Sequence, residues 1–396
     1  MNTNTNNLLK DILDSCHINF LIGSGCSSPY LSTLGNIESL LEEISIDGEL
    51  QSNTKLKNII EASVKKYYFE QSIYKNVAIL QNSAAAATER ASYKIFVDTI
   101  NNLIKFRKES IIGRQVNLFT TNMDIFLELA IEDSKIDYND GFKGRIHPVF
   151  GTENFGTNIS RRSPHFGYKS DVPIFNLYKL HGSVNWRIEP TERTERYVYD
   201  TNLSTLEQIK GELGDTSHFI DVTKLDTSSK DNKLVLCTLK ELKERAHKMD
   251  SQIQTEPVSK FLDSYKLLPI INPTKGKFET TTRNFTFYEL LRVYSNILEK
   301  ANSVLFVMGF SFADEHIREI TKRVLVTNPT LQLIIFSYTS IEKKNFEEYF
   351  NDYHNVHIIT PKQAEDGNDM YKNSLSNIIT QYFEPIIREI MIDNKE

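Results

Sequence analysis

Apolar residues in this chain fall into two patterns. The first is a short unbroken run closed by glycine or a small polar residue, which reads as a strand buried on both faces. Such runs are His17–Ile22, Gln115–Thr120, Ile174–Leu180, Leu267–Ile271, Ser303–Met308, Leu331–Phe336 and Val356–Ile359. The second has helical spacing. It occurs at Leu8–Leu13, Glu38–Ile44, Ile59–Phe69, Tyr93–Ile104, Ile125–Ala130, Tyr288–Lys300, from Asp314 onward, Ile341–Phe350 and Leu375–Ile392, and the run Ala84–Ala87 suits a helix by propensity. Strands that alternate with helices predict an α/β fold, a doubly wound, mostly parallel Rossmann-like sheet. Three stretches fall outside that alternation. The opening MNTNTNN has no period and reads as a frayed end or a short partner-binding arm. Residues 36–110 show helices with no strand between them and read as a helical insertion. Residues 187–265 are polar and charged and read as a second, less regular insertion. The Rossmann-like domain would then be assembled from residues 8–35, 111–186 and 266–396.

Composition narrows the function classes. Lys plus Arg is 46 and Asp plus Glu is 52, a net charge of −6. That argues against binding nucleic acid through bulk positive charge. Cys16, Cys26 and Cys237 form no CxxC pair, which excludes a disulfide framework and a cysteine-rich zinc site, so no metal is expected. There is no signal-peptide pattern and no apolar run of about 18 residues, so a cytoplasmic, membrane-free protein is the expectation.

Polar and glycine residues gather just after the strand-like runs, where open parallel sheets bind ligands. After the first run come Gly23, Ser24, Gly25, Cys26 and Ser27. Taken alone, these fit either a backbone cradle for phosphate or an ordinary tight turn. The loop is neither GxGxxG nor a P-loop, which disfavours a conventional dehydrogenase or kinase. After the second run come Thr121, Asn122, Met123 and Asp124, read alone as helix-capping residues or as a site. Lys179-Leu180-His181-Gly182-Ser183 sets an imidazole at a strand mouth, a position suited to a general base. Gly309-Phe310-Ser311-Phe312-Ala313-Asp314-Glu315-His316 closes another strand and opens a helix, with Asp314 favourable at the helix start.

Taken together, these four segments resemble the sirtuin-like superfamily from about residue 17 to residue 340. Its Gly-Ala-Gly loop, Gln-Asn-Ile-Asp loop, His-Gly motif and late Gly-Ser loop are matched by Gly23-Ser24-Gly25, Thr121-Asn122-Met123-Asp124, His181-Gly182 and Gly309-Phe310-Ser311. The Lys179–Ser183 and Gly309–His316 forms are most similar to bacterial sirtuin-like NAD hydrolases of anti-phage defence, some of them encoded beside a HerA-type hexameric ATPase. The zinc-binding CxxC pairs of protein-deacylating members are absent. Ser28-Pro29-Tyr30-Leu31 stands where those members carry Asp-Phe-Arg, and Thr121 replaces their Gln. The resemblance implies NAD as substrate, with water as acceptor. It implies Asn122 and His181 as catalytic residues, with His181 as the base. Gly23, Ser24, Gly25, Cys26 and Ser27 would hold the phosphates, and Thr121 would belong to the NAD-binding set. Asp124 would hold the nicotinamide carboxamide, and Gly309, Ser311 and Ser337 would line the adenosine side. It further implies a homo-oligomer, a HerA-type partner and a gated activity. A protein deacylase, an ADP-ribosyltransferase and a non-catalytic NAD-sensing subunit stay open as alternatives.

Overall fold

A computed structural model of the chain describes residues 3–32, 36–107, 113–165, 167–190, 195–226, 234–249, 254–271 and 284–393. Its centre is a sheet of seven strands: β1 (His17–Ile22), β2 (Gln115–Thr120), β3 (Tyr138–Asn139), β4 (Ile174–Lys179), β5 (Ser303–Met308), β6 (Gln332–Phe336) and β7 (Val356–Ile359). Their spatial order is β7-β6-β5-β1-β2-β4-β3, and every pairing is parallel. The fold is therefore the α/β class that the alternating pattern predicts, with short antiparallel sheets in the inserted segments. The chain builds outward from β1 on one side, then returns at β5 to build the other. That reversal puts the topological switch point between β1 and β5.

Both faces of the sheet are covered, which is why its strands read as unbroken apolar runs. Successive side chains alternate between two cores. Ile18, Phe20, Ile22, Leu118, Leu177, Phe306 and Phe336 join a core with the helices of residues 36–106 and the C-terminal helices. Leu21, Phe119, Tyr178, Leu305, Val307 and Ile335 join a second core with the helices Phe285–Leu298, Glu315–Thr327 and Lys343–Phe350. One polar row crosses the second face. Asn19, Asn117, Asn176 and Asn139 stand in register on four adjacent strands. Asn176 Nδ2 donates to Asn117 Oδ1 at 2.9 Å, Asn117 Nδ2 to Asn19 Oδ1 at 2.8 Å, and Asn19 Nδ2 to the Val304 carbonyl at 2.9 Å. A one-residue slip of any of these strands would turn its amide to the other face, so the row fixes the register.

The structure corrects several expectations. The opening polar stretch is helical from Thr3 in the helix Thr3–Ser15, because Leu9, Ile12 and Leu13 anchor one face and the helix propagates back from them. The Leu267–Ile271 run forms only a bridge between Gly182 and Ile270, since Pro269 has no N–H to give a ladder. The stretch after residue 187 is far from irregular. It holds the helices Ser204–Leu213, Leu239–Met249 and Thr255–Tyr265, whose Leu206, Ile209, Leu242, Phe261 and Tyr265 enter the same core as the helix Thr54–Tyr68. The expected limit of the helical stretch near residue 110 lies outside the described residues. Among those described, no helix is long and apolar enough to cross a membrane.

Candidate active site

Five parallel strands end in one row. The register pairs Phe336 with Met308, Met308 with Ile22, Ile22 with Thr120, and Thr120 with Lys179. The segments that follow, led by Ser337, Gly309, Gly23, Thr121 and Leu180, therefore emerge along one edge of the sheet. All the residues singled out from the sequence lie in or just beyond them.

At the switch point the two glycine loops interlock. Gly23 N donates to the Met308 carbonyl and Gly25 N to the Gly309 carbonyl, both at 2.9 Å. A Cβ on Gly23 would stand 2.4 Å from Gly309 O, and one on Gly309, at φ 61°, would stand 2.5 Å from Cys26 N. Glycine is required at both positions because one backbone lies against the other. Cys26 N and Ser27 N donate to Gly23 O and Ser24 O at 3.1 Å each. Four N–H groups of the expected phosphate cradle are thus spent inside the protein in this conformation. Burial pushes the Cys26 thiol well above its ordinary range, aided by the nearby Asp124 charge, which excludes a thiolate nucleophile there.

Asn122 is buried at the end of β2. Its Nδ2 faces Gly23 O at 3.0 Å, Ser27 Oγ at 3.3 Å and Tyr93 OH at 3.4 Å. Its Oδ1 is buried with no hydrogen-bond partner. Thr120 Oγ1 accepts from Asn122 N at 3.0 Å and donates to the Ile22 carbonyl at 2.8 Å, which ties the loop to β1. Asp124 is also buried. It accepts from Ser27 Oγ at 2.7 Å and from Phe126 N at 3.2 Å. Its carboxylate thus closes the turn that leads into the helix Phe126–Asp133 and holds the Ser27 loop. Below the loop, the Lys179 ammonium bonds the Asn122 and Asp124 carbonyls and pairs with Glu128 at 3.0 Å. This ion pair is fully enclosed, so loss of either partner would strand a buried charge.

His181 follows β4. Its carbonyl accepts from Ile271 N at 2.9 Å. Gly182, at φ 78°, lets Pro269 close against the turn, since a Cβ would stand 1.9 Å from Pro269 O. The ring is held from across the sheet, with His181 Nε2 3.2 Å from Asp314 Oδ2 and side-chain exposures of 12% and 7%. Asp314 Oδ1 meanwhile caps the helix Glu315–Thr327 by accepting from Ile317 N at 3.2 Å. The capping role is legible from the sequence; the pairing with His181 is not.

The remaining positions differ in what they offer. Thr121 and Gly309 are half-buried and Ser311 is exposed at the edge. Ser337 is fully buried. Its N–H donates to the Ile359 carbonyl, its hydroxyl to the Thr339 carbonyl, and its own carbonyl accepts from Asn373. It holds its turn and presents nothing to a ligand in this conformation. Two contributors went unread in the sequence, Asp314 as a partner of His181 and Tyr93 from the helix Ala87–Phe106. Among the described residues no group of three or more His, Cys, Asp or Glu is placed to hold a metal.

Comparison with known proteins adds one family finding. Residues 270–359 match the model of the SIR2-like domain, a segment that takes in β5, the Gly309–His316 turn, β6 and β7. The chain thus carries a SIR2-like segment. No curated protein matches the chain. A solved structure described as giving the structural basis for the mechanism and regulation of Sir2 enzymes aligns with 99% of this chain and 100% of its own, at 11% identity and a TM-score of 0.37. A likeness that distant bears on neither fold nor function.

Proposed function

We propose that this protein is an NAD glycohydrolase that cleaves the nicotinamide–ribose bond to give nicotinamide and ADP-ribose. The observation that carries the reading is that Asn122 and His181 follow the carboxyl ends of the adjacent parallel strands β2 and β4, with Asp314 3.2 Å from His181. The SIR2-like segment supports it, because that segment supplies Asp314.

The C1′–N bond breaks with both electrons leaving on nicotinamide, through an oxocarbenium-like state. Water adds its oxygen to C1′ and gives up a proton. His181 receives it, directly or through a ribose hydroxyl. A hydrogen on Nε2 turned toward the Asp314 carboxylate 3.2 Å away would leave the Nδ1 lone pair as acceptor, the tautomer a base needs. Asn122 holds the ribose or the attacking water through Oδ1, a buried acceptor with no protein partner. That oxygen is covered in this conformation, so substrate entry requires the loop to open. The requirement fits an activity gated by a partner. By the resemblance of the Lys179–Ser183 and Gly309–His316 segments, that activity serves bacterial anti-phage defence by depleting NAD, and the partner is a HerA-type ATPase.

The test is NAD turnover by the purified chain beside His181→Ala, with nicotinamide and ADP-ribose quantified, alone and with a candidate ATPase. Turnover in the wild type and at least a hundredfold loss in the variant is the expected result, the range for removing a general base being ~10²–10⁴. Nicotinamide release that needs an acylated peptide would replace the hydrolase with a deacylase. NAD binding with no turnover under any condition would leave a sensor.

A further inference from the structure

The contacts that hold Asn122 come from two sources. One is the strand-end loops. The other is Tyr93, on the helix Ala87–Phe106, an element outside all four strand-end motifs. Its hydroxyl lies 2.8 Å from Ser27 Oγ and 3.4 Å from Asn122 Nδ2.

The direction of the proton in that contact follows from counting. A hydroxyl has one hydrogen. Ser27 spends its hydrogen on the Asp124 carboxylate at 2.7 Å. Tyr93 must therefore donate to Ser27. Burial, reinforced by the Asp124 charge, holds the phenol far above its ordinary range, so the donor hydrogen is retained. Ser27 Oγ and the Tyr93 oxygen then both present lone pairs to Asn122. So does the Gly23 carbonyl, at 3.0 Å. All three groups facing that end of the amide accept, so only its –NH₂ fits there. Asn122 Oδ1 must point the other way, where it has no protein partner.

We propose that Tyr93 is a positioning residue for Asn122. It locks the Ser27 hydroxyl and thereby fixes the direction in which the Asn122 oxygen points. The proposal rests on the role of Asn122 in the NAD hydrolase reading. It also makes the site answerable to the helical stretch that carries Tyr93, because a shift of that helix releases the amide. The ring itself is set independently. It stacks on Phe126 with centroids 5.2 Å apart and planes 7° apart, a contact that phenylalanine would keep.

The experiment compares wild type, Tyr93→Phe, Ser27→Ala, the double variant and Asn122→Ala. Three quantities are read: NAD turnover, the melting temperature and the side-chain amide signal of Asn122 in protein labelled with nitrogen-15 at asparagine. That signal is assigned by its loss in Asn122→Ala. Tyr93→Phe should lower kcat about tenfold with KM nearly unchanged, the signature of a lost orienting contact. The Asn122 amide signal should shift or broaden, and the melting temperature should hold. The double variant should be no worse than the more impaired single variant, since both cut one chain of contacts. Wild-type kcat with an unmoved amide signal in Tyr93→Phe would overturn the proposal, as would losses that add in the double variant. If Tyr93→Phe fails to fold, Tyr93→Leu, which also lacks the hydroxyl and leaves Ser27 in place, is read by the same two quantities. If the wild type turns over no NAD, the hydrolase reading falls separately, and the amide signal alone still judges whether Tyr93 holds Asn122.

Discussion

Asp314→Asn separates two roles carried by one side chain. Asp314 Oδ1 caps the helix Glu315–Thr327, and Oδ2 faces His181 Nε2 at 3.2 Å. Asparagine caps about as well as aspartate, so the helix should keep its start. The lost carboxylate costs roughly 0.3–1 kcal/mol at the helix dipole. Stability should therefore fall by less than about 1 kcal/mol. The catalytic effect should be far larger. With side-chain exposures of 12% and 7%, water has little access to replace the carboxylate. The asparagine –NH₂ can also donate to Nε2, which would move the imidazole hydrogen to Nδ1 and occupy the position needed as base. Of the ~10²–10⁴ a general base supplies, a loss of about 10² in kcat/KM is expected, or ~2.7 kcal/mol. Asp314→Ala should match that loss and add ~1 kcal/mol of destabilisation for the missing cap. Nicotinamide release and urea unfolding of the three proteins make the comparison. Asp314→Asn at wild-type kcat/KM would sink the tautomer argument. So would activity losses that simply track the two stabilities.

Two further outcomes follow from the geometry. Gly182→Ala should cost about 2–4 kcal/mol, through positive-φ strain and the collision with the Pro269 carbonyl, read as a lower urea midpoint at unchanged slope; a loss below about 1 kcal/mol would show that the turn yields easily. His17 is held at about 4, mainly by burial and then by Lys300 and Arg107, against 6.5 in the open chain. Below about pH 6.5 the unfolded chain binds a proton that the folded one refuses, so the stability from neutral His17 is complete above that pH and is lost as pH falls towards 4. Urea unfolding across that window should show a shallower decline in His17→Gln, and an unchanged decline would remove His17 from the account.

The central strands were legible because both of their faces are buried. His17–Ile22, Gln115–Thr120 and Ser303–Met308 begin and end where the apolar runs do. The same rule misled at Leu267–Ile271, where Leu268, Ile270 and Ile271 are buried but the backbone makes only a bridge. Residues 187–265 read as polar because the helices within them bury narrow stripes, such as Leu242 and Ala246 on the helix Leu239–Met249, against helices far away in sequence. Asp314 was readable as a cap, a local property, and Tyr93 only as an apolar-face residue of a long helix. Neither position carries a local mark of its partner.

The strands, the polar loops that end them and the kinds of side chain in those loops are all written locally along the chain. Each follows from burial periodicity and turn chemistry within a few residues. The assembled fold alone sets β5 beside β1, interlocks the Gly23 and Gly309 backbones, and brings His181 to Asp314. It also places Ser27 between Tyr93 and Asp124, 66 and 97 residues away along the chain. Hydrogen bonds over such separations depend on strand order and register. Those are settled by the packing of two cores and the asparagine row across the sheet, which no local pattern encodes.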